Sequence, residues 1–341
     1  MATMRAFQIE HPGPAADLRQ VEVPVPEPGL GEVRVRVAYC GLNPLDIIVR
    51  SGGAAWMGPR WPLTPGVEHS GVVDAVGEGV SADWLGRAVV SRQAFGGNAE
   101  FSVAAEANLV RLPDDMDLVT GTVYRGCSHT AWRILHEAVR SAAGQHALFH
   151  SAAGPVGIML TQFAVQAGLT VIGLVGGAAK QAFAAQFGAQ HLIDTAATPD
   201  WPDAVRRITG GRGAELIVDG NGGPESARNF DVVAPGGEVV FIGATSGTPA
   251  AAVAPGQLII RHAAARGFNL NVAERIGASS EAVDAQIIPL LQSGALKLPM
   301  TSISPFGAVP ELHRRFENRE IQGRAVIEVG GEAVERLRRK G

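Results

Sequence analysis

From Met4 to about Phe101 apolar positions come in short runs: "EVRVRVAYC" sets valine against charge, "SGVVDAVGEGV" follows a Gly-rich turn, and "RAVVSRQ" adds a third. Runs this brief, alternating with a period of two and punctuated by glycine, predict an antiparallel, barrel-like half. Near Pro113 the pattern changes. "DLVTGTVYRGCSHTAWRILHEAV" is helical, and strands and helices then alternate: strand "HALFH", a helix from Pro155 to about Ala167, strand "TVIGLV", helix "AAKQAFAAQFG", strand "HLID", helix "WPDAVRRITG". Strand "ELIVDG", a helix from about Pro224 and strand "GEVVFIG" complete the series. Apolar strands separated by amphipathic helices at this spacing need crossover connections, so the sheet is parallel and covered on both faces: a doubly wound α/β domain. "AARGFNLNV" is a last strand candidate for it, "SSEAVDAQIIPLLQSGAL" is helical, and "GRAVIEV" is a strand with the pattern of the first half. The C-terminal segment is therefore expected to rejoin the N-terminal domain, giving domains of 1–123 with 268–341 and of 124–267.

Composition narrows the class. The 341 residues are 46% hydrophobic and 18% charged, with 43 glycines and 21 prolines, as in a turn-rich globular chain of two domains. A net charge of -4 without blocks of like charge offers nothing to nucleic acid or an anionic membrane. The basic stretch "RLRRK" at Arg336 to Lys340 is most simply a solvated helix end. No apolar segment approaches the roughly 20 residues of a membrane span, and "MATMRAFQIE" lacks a signal-peptide core, so a cytoplasmic location is expected. Cys40 and Cys127 form no CxxC pair, in keeping with a reducing compartment.

The candidate chemistry starts at "HSAAGPVGIML". In a dinucleotide fold the first strand-to-helix turn carries G-x-G-x-x-G, because small residues let backbone N–H groups and a helix N-terminus approach the pyrophosphate. Here the six positions are Ala152, Ala153, Gly154, Pro155, Val156 and Gly157, with alanine in place of the first glycine and proline near N1 of the helix. Alone the match is also a plain Gly-Pro helix start; its place inside a βαβαβ series favours a phosphate seat. After the second strand an NAD site usually has an acid for the ribose 2′-hydroxyl. The sequence there reads Leu174-Val175-Gly176-Gly177-Ala178-Ala179-Lys180, without an acid and with a lysine one turn into the next helix. Lys180 is either a surface helix lysine or the partner of a 2′-phosphate, and the second role favours NADPH over NADH.

The stretches "GLNPLDIIVRSG", "PGVEHSGVVDAVGEGV", "GGNAEFSVAAEANLVRLPD", "SAAGPVGIMLTQFAVQAG", "ELIVDGNGG", "GGEVVFIGATSG" and "GRAVIEV" run nearly end to end. On them the chain resembles the medium-chain dehydrogenase/reductase superfamily and, within it, the zinc-independent quinone oxidoreductase group. The resemblance implies a discontinuous catalytic domain with a GroES-like, partly open β-barrel, an inserted Rossmann domain, a cleft between them, and a homodimer joined through the nucleotide domains. Zinc-dependent relatives supply a thiolate and a histidine from the first domain, since Zn²⁺ needs three N, S or O ligands and one open position. At the matching positions stand Asn43 and Val67, so no metal is expected. Cys40, Glu68, His69 and Cys127 read instead as strand or helix thiols, a turn carboxylate and a boundary histidine.

The zinc-free group places an Asn-x-x-Asp pair beside the nicotinamide, matched by Asn43 and Asp46, which the resemblance makes the catalytic residues. Asn43-Pro44-Leu45-Asp46 is equally a well-made helix start, and both readings hold if the cap lines a cleft. Ile48 stands where some quinone reductases carry a tyrosine near the substrate, and Thr195 where a tyrosine often flanks the NADPH adenosine. Water is therefore the expected proton source. His129 is a second candidate for the substrate pocket, or simply a packed helix histidine. Thr130, Asn221, Gly243 and Ala244 match cofactor-lining positions, and Gly176 joins them beside Lys180. Phe268 and Arg324 match a segment over the nicotinamide ring and a basic residue near the cofactor, the other readings being a core aromatic and a solvated strand-start arginine. The implied protein is a soluble NADPH-dependent oxidoreductase delivering hydride to a small conjugated acceptor, a quinone or an α,β-unsaturated carbonyl compound. The alternatives are an enoyl-thioester reductase and a protein that holds NADPH as a structural or redox-sensing module.

Overall fold

The computed structural model describes residues 2–53, 55–91 and 95–338; of the segments named above, Met1, Arg92, Gln93, Arg339 and Lys340 lie outside these. The strands are β1 (Thr3–Gln8), β2 (Arg19–Pro24), β3 (Glu32–Gly41), β4 (His69–Val76), β5 (Ala88–Ser91), β6 (Phe101–Ala105), β7 (Leu109–Arg111) and β8 (His146–Phe149). They continue as β9 (Thr170–Val175), β10 (His191–Asp194), β11 (Ala214–Asp219), β12 (Val233–Phe241), β13 (Ala264–Gly267), β14 (Met300–Pro305) and β15 (Arg324–Glu328). The helices are α1 (Pro44–Arg50), α2 (Leu118–Arg133), α3 (Pro155–Gln166), α4 (Ala178–Ala184), α5 (Trp201–Ile208) and α6 (Asn229–Val232). After them come α7 (Pro255–Arg261), α8 (Leu270–Ile276), α9 (Ser280–Gln292), α10 (Val309–Glu317) and α11 (Gly331–Glu335). Two compact units result, 1–125 with 300–341 and 126–299.

The first unit is built on a sheet of order β14-β15-β3-β4-β5-β7, with β6 also pairing β3 and a separate β1–β2 pair. β15 runs antiparallel to β3, Ile327 opposite Cys40, so "GRAVIEV" does complete the sheet begun by "EVRVRVAYC". Alternation decides which side chains go inside: Val33 and Val35 of β3 meet Val73, Trp84 and Val89 in one cluster. Another cluster takes residues from both ends of the chain, including Phe7, Ile9, Leu42, Leu312 and Ile327. β14 escapes the hydrophobic pattern because "MTSISP" is a mostly exposed edge strand with little apolar alternation.

The second unit is a six-stranded parallel sheet of order β10-β9-β8-β11-β12-β13. From β8 the chain lays strands first on one side and then, after β10, on the other. This reversal between β8 and β11 is the switch point where such sheets open a crevice at the strand C-termini. The core joins Leu148, Ile172, Leu174, Ile217 and Val239. Its second junction falls at 299/300, whereas the sequence pattern sets it at 267/268. The difference lies in α8 and α9, which polar contacts tie to this unit: His129 Nε2 to Asp284 at 2.7 Å, Arg133 Nη2 donating to the Ala278 carbonyl at 2.8 Å, and Gln162 bonding the Lys297 backbone in both directions. Among the described residues no helix is long and apolar enough to cross a membrane.

Candidate active site

The turn after β8 is shaped by close approach. Ser151 turns the chain at φ 51° and Gly154 caps α3 in extended conformation, with Pro155 at N1. A Cβ on Gly157 would lie 2.4 Å from the Ser151 carbonyl oxygen, so only glycine lets α3 start this near the strand. Ala152 is tolerated in the first glycine position because it packs with Ala153, Val175 and Ala184 instead of straining the turn. The first-turn amides of α3, Val156 and Gly157 among them, have no intrahelical acceptor and carry the positive end of the helix dipole.

Three loop residues meet at the C-terminal ends of β8, β11 and β12. Asn221 Oδ1 accepts from the Ser151 hydroxyl and from Thr245 Oγ1, the latter at 3.1 Å. Beneath them Asp219, fully buried, receives the Asn221 and Gly222 amides at 2.8 and 3.1 Å on Oδ1 and Asn229 Nδ2 at 2.8 Å on Oδ2. Asn229 Oδ1 in turn lies 2.7 Å from His150 Nε2. The turn after β8 is thus fastened to the neighbouring loop through a closed polar chain. Gly243 and Ala244 follow β12 beside Thr245, and the Phe268 amide donates to the Phe241 carbonyl at 2.9 Å just past β13. Gly176 is exposed with open space around its Cα, and Lys180 is half-buried in the first turn of α4. A close-approach glycine, a free-ended helix dipole and a basic residue past β9 fit a dinucleotide phosphate.

In the first unit Asn43 caps α1. Its Oδ1 accepts the Leu45 amide at 3.0 Å, and Asp46 Oδ2 accepts the Asn43 amide at 2.9 Å. Asp46 Oδ1 takes the amides of Gly66 and Val67 at 2.9 and 2.8 Å, which fixes the next loop. Gly66 must be glycine, since its φ is 103° and a Cβ would meet the Asn98 amide at 2.6 Å. Asn43 Nδ2 donates to Glu68 Oε2 at 3.2 Å, and Glu68 forms an ion pair with Arg324. Burial pushes the Asp46 carboxyl up against its three amide donors and lowers the Arg324 guanidinium to about 10.

Several sequence expectations change here. Asp46 is 1% exposed with its oxygens engaged by backbone, so it holds the loop. Arg324 is buried on Glu68, which spends its charge far from any solvated role. His129, also fully buried, is held between Asp284 and Glu274 and ties helices together instead of lining a pocket. Thr130 is nearly buried beside it, while Ile48 is half-buried and packs on the apolar cluster of its unit. Ser151, Asp219 and Thr245 were missed: the first because a positive φ on serine leaves no sequence signal, the others although an acid closing a buried strand, as in "ELIVDG", is itself a flag.

A metal does not fit the loop. Asn43 is an amide committed to capping and to Glu68, Val67 is aliphatic, and Glu68 is committed to Arg324. Among the described residues no group of three or more His, Cys, Asp or Glu could hold a metal ion.

Such a two-unit plan, with a tight strand-to-helix turn at the switch point of one unit, defines an oxidoreductase of the alcohol dehydrogenase type. Residues 29–114 match the alcohol dehydrogenase GroES-like domain and residues 155–285 the family described as zinc-binding dehydrogenase. The quinone oxidoreductase of Lama guanicoe is 30% identical over 242 residues, 70% of this chain and 73% of the relative. The quinone oxidoreductase structure from Pseudomonas syringae pv. tomato DC3000 superposes with a TM-score of 0.86 at 28% identity, covering 96% of this chain and all of that one. A mycobacterial protein solved in complex with NADPH gives 0.85 at 28% identity over 96% of this chain and 100% of its own. The chain belongs to the zinc-independent quinone oxidoreductase group of the medium-chain dehydrogenase/reductase superfamily.

Proposed function

We propose that the protein is an NADPH-dependent reductase of conjugated acceptors, quinones or α,β-unsaturated ketones and aldehydes. The observation that carries this is the state of the Asn43 loop. Among the described residues Asn43 and Asp46 are bound within their unit, and Asn43 Nδ2, which has two hydrogens and gives one to Glu68, keeps the other to offer. A single neutral donor suits an acceptor whose conjugation spreads incoming charge, and would serve a simple carbonyl poorly without a Lewis acid.

The nucleotide, when bound, supplies the hydride. The residues of the chain do the rest. First-turn amides of α3 hold the pyrophosphate, Lys180 pairs with the 2′-phosphate, and the Ser151–Asn221–Thr245 contacts keep the loops in place, with Gly176, Gly243, Ala244, Thr130 and Phe268 as the remaining nucleotide-side positions. Asn43 offers its second hydrogen to the acceptor oxygen, Ile48 supplies apolar wall, and Asp46 positions Asn43 through the cap. Water supplies the proton at the product. The exposed side chains of Ile259, Ile260 and Ile276, with the wholly exposed edge strand β13, support a homodimer formed through this unit. Buried thiols at Cys40 and Cys127 suit a reducing, cytoplasmic setting.

A panel of quinones and enones followed at the NADPH absorbance tests the activity. Substrate-dependent oxidation is expected. Tight NADPH binding without turnover on any of them would replace the enzyme by a nucleotide-holding module.

A further inference from the structure

β9 ends at Val175 without an acid, but the neighbouring strand brings one to the same place. Asp194 is the last residue of β10 and stands in register with Val175. Its Oδ1 accepts the Gly177 amide at 2.8 Å and the Ala196 amide at 3.0 Å. Both bonds fall on that oxygen; Oδ2 takes no hydrogen bond from the described residues, and the side chain is only half-buried. Next to it the chain leaves the sheet through Gly176, where a Cβ would meet nothing within 4 Å. α4 begins immediately afterwards, with Lys180 in its first turn.

We propose that Asp194 Oδ2 accepts the adenosine-ribose 2′-hydroxyl of an unphosphorylated nucleotide, so that this protein uses NADH alongside NADPH; this rests on the dinucleotide reading given above. A carboxylate at the end of a sheet strand is the usual acceptor for that hydroxyl and repels a 2′-phosphate. Asp194 differs in arriving from the third strand of the wind instead of the second. It also occupies the Gly177 amide, which would otherwise be available to a phosphate oxygen. Lys180 acts in the opposite sense, as a point charge attracting the 2′-phosphate. With one group for each nucleotide, the preference between them is small.

Calorimetric titration of the full-length protein with NADPH and with NADH decides the matter without depending on turnover. Wild-type affinities are expected to lie within about tenfold of each other, one charge of each sign facing the 2′ position. D194N keeps an oxygen for the Gly177 and Ala196 amides while replacing the charged acceptor Oδ2 by a neutral NH2 donor. It should move the ratio toward NADPH by about tenfold, while K180A moves it toward NADH by a similar factor. An unchanged ratio in folded D194N overturns the role of Asp194, as does a wild-type preference for NADPH beyond about a thousandfold. Should D194N not fold, the wild-type ratio alone decides. Equal losses of both nucleotides in K180A would instead overturn the placing of the 2′ subsite, and no heat with either nucleotide would overturn the dinucleotide reading itself.

Discussion

At the scale of single residues, the cap that Asn43 makes and the donor role proposed for it can be separated by a substitution. Asn43→Asp keeps an oxygen for the Leu45 amide, and so the cap, but loses both amide hydrogens. The expected result is a fall in kcat on the order of tenfold to a hundredfold with little change in KM for NADPH, as for loss of one donor to developing negative charge. An unaltered kcat would leave Asn43 as a helix cap only. Asp46 answers to a different measurement. Replacing it with alanine strands three amides, two of them buried, and a loss on the order of 3 kcal/mol in urea unfolding is expected.

At the scale of elements, α10 carries a group that costs stability in acid. His313 is fully buried with neither ring nitrogen hydrogen-bonded among the described residues, and burial, reinforced by the Arg50 guanidinium, lowers it to about 3. His69 at the start of β4 is likewise lowered by burial, to about 4. The unfolded chain protonates both near the ordinary value of 6.5 while the folded protein does not, so between that pH and about 4 or 3 the unfolded state binds more protons and stability falls as acid is added. His313→Leu should flatten this acid limb by a few kcal/mol and leave stability at neutral pH equal or higher, read from denaturant midpoints at a series of pH values. An unchanged acid limb would mean that His313 is not buried neutral.

Elements also show what a sequence can and cannot announce. β8 to β12 were legible because a parallel sheet covered on both faces demands uninterrupted apolar runs, and "TVIGLV" and "HLID" match their strands residue for residue. The tight turn into α3 was legible because its glycines serve geometry alone. Partnerships across strands were not. Nothing near Arg324 in sequence points to Glu68, and a search for an acid confined to the end of β9 passes over Asp194, whose relevance comes from lateral pairing. α8 and α9 were misplaced for the same reason, since the contacts that claim them come from side chains on distant helices.

At the scale of the whole molecule, the apolar surface of the second unit has its own consequence. Ile259 and Ile260 are about four-fifths exposed on α7, close along the chain to the uncovered edge of β13. If this face joins two copies, the wild-type protein sediments as a dimer and a double replacement by aspartate sediments as a monomer that still binds NADPH. A wild-type monomer would remove the dimer.

The interlaced sheet of the first unit bears on how the protein comes into being. Its strand β3 is synthesised before the second unit, yet a neighbour it needs, β15, comes after it. The contiguous stretch in between holds every strand of its own sheet and is free to settle while translation continues. Until β15 is made, the segment from β1 to β7 waits with the β15 side of β3 unpaired, an edge open to other chains.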